Sequence, residues 1–492
     1  MTCNIRQIGL ILAIVAPACI LFAGDFGDNP KTPAMAAIAL MMALLWVTEA
    51  IPLSATALLP LLLFPVLGIA PTKLVAAQYM NSTVFLLIGG FLIALAMQRW
   101  NLHRRIALAV LSVFGSQPIQ LLGGFILATA GLSMWISNTA TTLVMLPIAL
   151  AILSRFDAVI GAQATERVTT GFMLAIAYSA SIGGMMTPVG TAPNLVFLRL
   201  YEISHPDTGG IGFTEWMLLT MPIGIVLLVF LMFYLWFRYC RGIKTETSIA
   251  RFITEEKQDL GIMRFEEKVV TVVFSLAALL WVTRKKIQMD SLTIPGWQDW
   301  VPNGSMMDDS TVAIGMALIL FLVPARNSDG TVTRVLDHHV FQQLPWSVVL
   351  LFGGGFALAS GFVESGLSSY LAQQVGQLSE TSLMTQLLLV TGLMTALTEL
   401  TSNTATTQLV LPILQSIANA TQIKPEWLMI PATLAASCAF MFPVATPPNA
   451  IVFSSGQVKM SQMLSAGIVM NLVAIIVIGV LIQWLLPIVL GV

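Results

Sequence analysis

Apolar runs of roughly 20 residues, enough to span the hydrocarbon core of a bilayer, recur along the whole chain. Stretches such as 219–237 are apolar on every face, whereas a membrane β-strand alternates apolar and polar residues. The pattern therefore predicts an all-α polytopic membrane protein with about 11 transmembrane helices. The predicted spans are 7–24, 33–50, 53–71, 84–100, 168–200, 214–239, 266–283, 308–324, 343–363, 428–455 and 461–490.

Two further apolar stretches, 119–154 and 384–420, are too long for one crossing. Each carries the polar hexapeptide SNTATT in its middle, at residues 137–142 and 402–407. Non-helical polar backbone at bilayer depth is tolerated only where protein or water surrounds it. We therefore expect two re-entrant helical hairpins, each with its half-helices entering and leaving on one side and with the hexapeptide at its tip.

The two hexapeptides belong to a longer internal repeat. Gly-Gly-Phe at residues 89–91 matches Gly-Gly-Phe at 354–356 with an offset of 265, the same offset that relates the hexapeptides. Five predicted crossings separate the two copies, and an odd number turns the second copy upside down. The repeat therefore predicts two inverted halves, the architecture in which transporters build a midplane site.

A second matching pair lies downstream of the hexapeptides. The sequence TPVGTAPN at 187–194 is echoed by FPVATPPN at 442–449, now with an offset of 255. The predicted organisation is an extra N-terminal helix within residues 1–30, a first inverted repeat at 31–265 and a second at 266–492.

Charge is scarce and confined to short loops. Only 10% of the residues are charged and 57% are hydrophobic, so the chain cannot cover a water-facing surface, and its expected partner is the lipid bilayer. The net charge of −1 gives no sign of a nucleic-acid partner, and none is expected.

The basic loops 99–105 and 240–265 indicate the orientation, because cytoplasmic loops are rich in lysine and arginine. The chain is expected in the plasma (inner) membrane, with its N-terminus in the cytoplasm and its C-terminus outside. The cluster 284–286 (RKK) then falls outside, so either a nearby boundary is misplaced or the cluster is a local exception.

Four polar islands carry the candidate chemistry: the two hexapeptides and the sequences GTAPN at 190–194 and ATPPN at 445–449. In the last two islands, proline and glycine interrupt the helix hydrogen bonds, which frees carbonyls for a hard cation and N–H groups for an anion. None of the four islands contains Lys or Arg. A bound dianion would need bound cations to neutralise it, which is a physical reason for cotransport.

Two acidic residues lie near these islands. Glu399 precedes the second hexapeptide, where the first repeat has Met134. It is either a proton-sensitive or ion-pairing group or, as we favour, a residue with a cavity-rim or structural role. Glu49 lies at the end of a span and is expected to extend towards water.

Paired Ser-Asn-Thr motifs, each followed by a Thr-Pro-Pro-Asn-like break, resemble the divalent anion/sodium symporter family over nearly the whole chain. That family carries dicarboxylates and citrate, and the resemblance implies a homodimer with an elevator mechanism. It also implies one sodium site per half, formed by Ser133, Ser137, Asn138 and Gly190 and by Thr398, Thr401, Asn403 and Ala445. The implied substrate-binding residues are Asn138, Thr139, Thr191, Asn403, Thr404, Thr446 and Pro447.

The leading functional hypothesis is a symporter that imports C4-dicarboxylates with at least two sodium ions and no organic cofactor. A sodium-independent dicarboxylate or citrate exchanger, or a carrier of sulfate or tricarboxylates, remains open. Ala192 stands where the fuller pattern has proline, which leaves the substrate size open. No catalytic residue is expected and the chain is not expected to be an enzyme, because it has no paired Asp, Ser/His dyad or HExxH motif at bilayer depth.

Overall fold

The computed structural model describes residues 2–23, 29–115, 117–154, 161–205, 210–243, 248–289, 292–326, 330–375 and 382–491. The first half of the chain forms α1 (Thr2–Ala23), α2 (Lys31–Thr48), α3 (Leu53–Thr56), α4 (Leu59–Val66), α5 (Thr72–Ala77), α6 (Ser82–Arg99), α7 (Leu102–Val113), α8 (Pro118–Ser133), α9 (Asn138–Leu153), α10 (Ala162–Met185), α11 (Ala192–Ser204) and α12 (Phe213–Leu235). A π-helical turn, Trp236–Cys240, extends α12.

The second half is also helical. It forms α13 (Ser248–Asp259), α14 (Phe265–Val282), α15 (Asp309–Leu322), α16 (Val340–Gln343), α17 (Trp346–Glu364), α18 (Leu367–Val375), α19 (Leu383–Thr398), α20 (Asn403–Ala420), α21 (Glu426–Ala436), α22 (Pro447–Ser454) and α23 (Met460–Leu490). Two antiparallel pairs of short strands, β1 (Ile287–Met289) with β2 (Leu292–Ile294) and β3 (Pro324–Arg326) with β4 (Val332–Arg334), lie in the loops that flank α15.

Within the described residues, six helices are long and apolar enough to cross a membrane. They are Lys31–Thr48, Thr72–Arg99 (α5 and α6 taken together), Gln163–Met185, Phe213–Cys240 (α12 with its π-helical turn), Trp346–Glu364 and Met460–Leu490. The all-helical membrane class is thus confirmed, while the number of about 11 crossings stays a prediction. The predicted span 53–71 is not one helix: it divides into α3 and α4, because Pro60 lacks the N–H that would continue α3 and instead lies in the first turn of α4.

The two SNTATT stretches each form a pair of helices interrupted at the hexapeptide. Residues 134–137 separate α8 from α9, and residues 399–402 separate α19 from α20; the two helices of each pair contact each other. Helices of 16 residues, such as α8 and α19, are about 24 Å long, which is shorter than a bilayer core of about 30 Å. The helices are interrupted where the sequence predicted, at the two hexapeptides. The re-entrant course of these helices through a membrane stays a prediction.

Two helices at the centre of the protein are interrupted as well. Residues 186–191 separate α10 from α11, and residues 437–446 separate α21 from α22. All residues from 168 to 188 and from 428 to 440 are buried. The helix α10 packs against α8, α9 and α12, and α21 packs against α19, α20 and α23. The pair α8 and α9 therefore contacts the buried helix before the first break, and the pair α19 and α20 contacts the buried helix before the second.

The basic cluster at 284–286, which did not fit the predicted orientation, includes a buried ion pair. Arg284 Nε lies 2.5 Å from Asp309 Oδ1, and the Arg284 side chain is 8% exposed. Arg284 Nη1 also donates to Gln298 Oε1 and to the Met307 carbonyl. Lys285 donates to the Gly210 carbonyl. These two cations are bound within the protein, so they are structural groups rather than a free basic loop.

Candidate functional site

Four polar segments meet around one cavity of about 400 Å³. The turns before α9 and α20 contribute residues 137–139 and 401–404, and the two helix breaks contribute 189–193 and 444–448. A cavity of this size falls within the range of small-molecule sites in proteins. The four islands that the sequence singled out are therefore neighbours in space.

The helices around this cavity point their N-termini towards it. Asn138 and Asn403 are the first residues of α9 and α20, and Thr191 and Thr446 are the N-cap residues of α11 and α22. Free N–H groups at the starts of α9 and α20 and the positive ends of the helix dipoles favour a bound anion. The start of α22 adds no free N–H, because Pro447 and Pro448 have none and the Asn449 N–H donates to Thr446 Oγ1. All seven residues predicted to bind substrate line the cavity: Asn138, Thr139, Thr191, Asn403, Thr404, Thr446 and Pro447.

The predicted sodium ligands lie in two layers. Two of them, Ser133 and Thr398, are fully buried behind the cavity wall. The other predicted ligands line the cavity itself: Ser137, Asn138, Gly190, Thr401, Asn403 and Ala445.

In the first half, three oxygens meet behind the tip of the helix pair. Ser133 Oγ lies 2.7 Å from Asn138 Oδ1 and 2.7 Å from the Ala180 carbonyl oxygen. A hydroxyl has one hydrogen, so it can donate to only one of these acceptors at a time. The cluster is short of donors, which is the condition that a cation relieves.

The second half repeats this cluster. Thr398 Oγ1 lies 2.6 Å from Asn403 Oδ1 and 2.7 Å from the Ala436 carbonyl oxygen. Thr142 and Thr407 each donate to the carbonyl four residues earlier, that of Asn138 and Asn403. The hydroxyl, amide and carbonyl oxygens of the two clusters correspond, so the sequence repeat is also a repeat of these side-chain hydrogen bonds.

Two buried asparagines stabilise the helix breaks. The Asn194 side-chain nitrogen lies 3.1, 3.3 and 2.7 Å from the carbonyl oxygens of Gly184, Met185 and Thr187, and its two hydrogens are shared among these three acceptors. The Asn449 amide donates to the carbonyls of Ala439 and Phe442 at 3.0 and 3.1 Å. These side-chain donors replace helix N–H donors that the breaks have lost, as buried carbonyls require.

Close backbone approach in the first half depends on two glycines. A Cβ at Gly184 would overlap the Asn138 amide oxygen, and a Cβ at Gly190 would overlap the Gly184 carbonyl. The absence of these side chains lets the break and the tip of α9 come together.

Glu49 is the charged residue of the cavity lining, and Lys, Arg and His do not occur among the residues that line it. Glu49 caps the C-terminus of α2 with a φ of 46° and is exposed, at a position where the sequence indicated only a span end. Its place beside the cavity depends on how α2 packs against the rest of the chain, so no local pattern could have revealed it. A bound dianion would face one further acid and no basic side chain.

Many apolar helices around a polar cavity lined by helix N-termini define the chain as a polytopic membrane protein of the secondary-transporter type. The family described as the sodium:sulfate symporter transmembrane region matches residues 4–492, and the chain belongs to this family. The resemblance found in the sequence is thereby confirmed, and the family is one of transporters rather than enzymes.

Individual relatives extend over nearly the full length. The chain is 39% identical over 497 residues to the sodium-dependent dicarboxylate transporter SdcS of Staphylococcus saprophyticus, covering 99% of this chain and 93% of the relative. It is 39% identical over 493 residues to SdcS of Staphylococcus aureus, strain MRSA252, covering 99% and 92%.

Two solved structures share the fold. The Alcanivorax borkumensis YdaH transporter has a TM-score of 0.53 at 14% identity, with 82% of this chain and 85% of that chain covered. MtrF of Neisseria gonorrhoeae has a TM-score of 0.55 at 12% identity, with 98% and 94% covered. At these identities the likeness concerns the fold alone.

Proposed function

We propose that this protein is a sodium-coupled symporter that imports C4-dicarboxylates such as succinate, malate or fumarate. The observation that carries the proposal is the duplicated oxygen cluster, Ser133 with Asn138 and Thr398 with Asn403, beside a cavity without basic residues. The names of the relatives, which describe sodium-dependent dicarboxylate transporters, support the same substrate class.

Each half holds one sodium ion, so at least two ions accompany the substrate. The first ion is bound by Ser133, Ser137, Asn138 and Gly190, and the second by Thr398, Thr401, Asn403 and Ala445. These groups supply neutral oxygens, the ligand type that hard cations prefer.

The dicarboxylate lies between the two tips. Its carboxylates accept hydrogen bonds from the amides of Asn138 and Asn403 and from the hydroxyls of Thr139, Thr404, Thr191 and Thr446, while Pro447 closes the wall. The two sodium ions offset the charge of the dianion. Sodium therefore binds weakly without the dicarboxylate and the dicarboxylate binds weakly without sodium, and this mutual dependence couples the two fluxes.

The transport cycle is of the elevator type, in a homodimer embedded in the plasma membrane. The halves 31–265 and 266–492 are inverted repeats preceded by the extra helix in 1–30, the hairpins 119–154 and 384–420 are re-entrant, and the N-terminus is cytoplasmic with the C-terminus outside. The matched hydrogen bonds of the two helix pairs and the two broken helices support this organisation.

Uptake of labelled succinate into proteoliposomes tests the function. We expect accumulation when an inward sodium gradient is imposed and little when potassium or choline replaces sodium at equal osmolarity. Uptake that is indifferent to the sodium gradient, or exchange of internal for external succinate without sodium, would contradict symport and favour an exchanger.

The family description names sulfate, so sulfate is the second candidate substrate. Competition separates the two: excess unlabelled succinate or malate should block sodium-driven uptake, and equal concentrations of sulfate or citrate should not. The reverse order of competitors would assign the cavity to sulfate or to tricarboxylates.

A further inference from the structure

The two halves differ at one buried acid. The Glu399 carboxylate accepts hydrogen bonds from the backbone N–H groups of Phe440, Met441 and Phe442, at distances between 2.8 and 3.2 Å. It also accepts one from the Asn471 side-chain amide at 2.6 Å. The residue is 3% exposed and has no cationic partner among the described residues. A buried carboxylate needs several donors, and here the broken helix supplies most of them.

These hydrogen bonds coincide with a difference in the length of the two breaks. The unwound segment is 186–191 in the first half and 437–446 in the second, which makes the second longer by about one helical turn. Both breaks end at corresponding positions, Ala192 and Pro447, so the extra turn is lost at the end of α21. In a continuous helix the N–H groups of residues 440–442 would bond the carbonyls of 436–438, and Glu399 takes those donors instead.

The lost helix bonds release one of the oxygens of the second cluster. Phe440 N bonds Glu399 rather than Ala436, and the Ala436 carbonyl contacts Thr398 Oγ1. The corresponding Ala180 carbonyl lies within α10, where Gly184 N is in position to bond it. The second cluster therefore offers a carbonyl with no helix donor, and Glu399 follows Thr398 of this cluster directly in the chain. The first half has Met134 at the position of Glu399.

We propose that Glu399 is a positioning residue that holds the second helix break unwound and prepares the second cation site, and that it thereby raises the affinity of this site for sodium. The inference rests on the proposed sodium-coupled function. Glu399 acts through the backbone of residues 440–442 and does not itself touch the ion or the dicarboxylate.

Sodium dependence of uptake in proteoliposomes tests the proposal. Glu399→Gln keeps the size but loses the charge, and we expect the sodium concentration for half-maximal uptake to rise about tenfold. The half-saturating succinate concentration at saturating sodium should change less than about twofold, because the cavity wall is intact. Glu399→Asp keeps the charge and should recover part of the sodium affinity. Met134→Leu, at the corresponding position of the first half, should leave the sodium dependence unchanged.

Hydrogen exchange of the purified protein in sodium-free buffer tests the backbone contact independently of transport. In Glu399→Gln, peptides that cover 437–446 should exchange faster, while peptides that cover 186–191 should not change. Sodium-driven uptake with an unchanged sodium dependence in Glu399→Gln would overturn the proposal and leave the function standing. Wild-type uptake without sodium dependence would instead overturn the proposed function. Unchanged exchange at 437–446 in Glu399→Gln would overturn the proposed role of the Glu399 backbone contacts.

Discussion

Ser133 and Asn138 meet across the turn between α8 and α9, with Ser133 Oγ 2.7 Å from Asn138 Oδ1. Because the Ala180 carbonyl also approaches this hydroxyl, the one hydroxyl hydrogen has two acceptors, and the three oxygens favour a cation. Ser133 lies outside the cavity lining, so its side chain can reach an ion without touching the substrate.

Ser133→Ala should therefore lower the affinity for sodium without abolishing substrate recognition. We expect the sodium concentration for half-maximal uptake to rise by about tenfold, which corresponds to the binding free energy lost with one neutral oxygen ligand. Ser154→Ala, which changes an exposed serine just beyond α9, is the matched control and should behave as wild type. Equal sodium dependence in the two variants would show that no ion uses the Ser133 hydroxyl.

Asn138→Ala and Asn403→Ala should each abolish uptake, because each asparagine serves both an ion and a carboxylate in the proposed site. Each variant loses several polar contacts at a half-buried position that lines the cavity, so a decrease of more than about 100-fold is expected. Size-exclusion profiles should still show a folded, monodisperse protein. Near-normal uptake in either variant would mean that the helix tips are not the site.

Gly184→Ala tests the close approach of α10 to the tip of α9. The added Cβ overlaps the Asn138 amide oxygen, so the tip must move and uptake should fall at least tenfold. Gly131→Ala is the control, because a Cβ at Gly131 in α8 meets nothing within 4 Å. It should retain uptake and raise the melting temperature slightly, since alanine is a better helix former than glycine. Equal uptake in both variants would contradict the predicted tight contact.

The position of the site was predictable because its signals are local and occur twice. The hexapeptides at 137–142 and 402–407, together with the Pro-Asn pairs at 193–194 and 448–449, fixed where the helices break. Proline removes a helix donor and serine caps a new helix, so these effects depend on neighbouring residues rather than on the tertiary fold. The repeat then implied that the four breaks act together, and they line one cavity.

The contacts that distinguish the halves could not be predicted in this way. Glu399 binds Asn471 and the backbone at 440–442, and Glu49 reaches the cavity from α2. Each contact joins segments that are far apart in sequence and has no counterpart in the repeat. Whether a buried acid is bound by N–H groups, by a cation or by water depends on tertiary packing, which a single sequence does not encode in any short pattern.

The Arg284–Asp309 ion pair should be a main source of stability between α14 and α15. The Arg284 and Asp309 side chains are 8% and 14% exposed, so Arg284→Met leaves a buried carboxylate without its cation, at a cost of about 3–5 kcal/mol. The melting temperature in detergent should fall by several degrees. Combining Arg284→Met with Asp309→Leu removes both charges and should restore most of the lost stability.

The exposed ion pair between Lys459 and Glu166 is the control, with side chains that are 71% and 58% exposed. Lys459→Ala breaks this pair and should change the free energy of unfolding by less than about 1 kcal/mol. If Arg284→Met and Lys459→Ala melt at the same temperature, the buried pair contributes no more to stability than the surface pair.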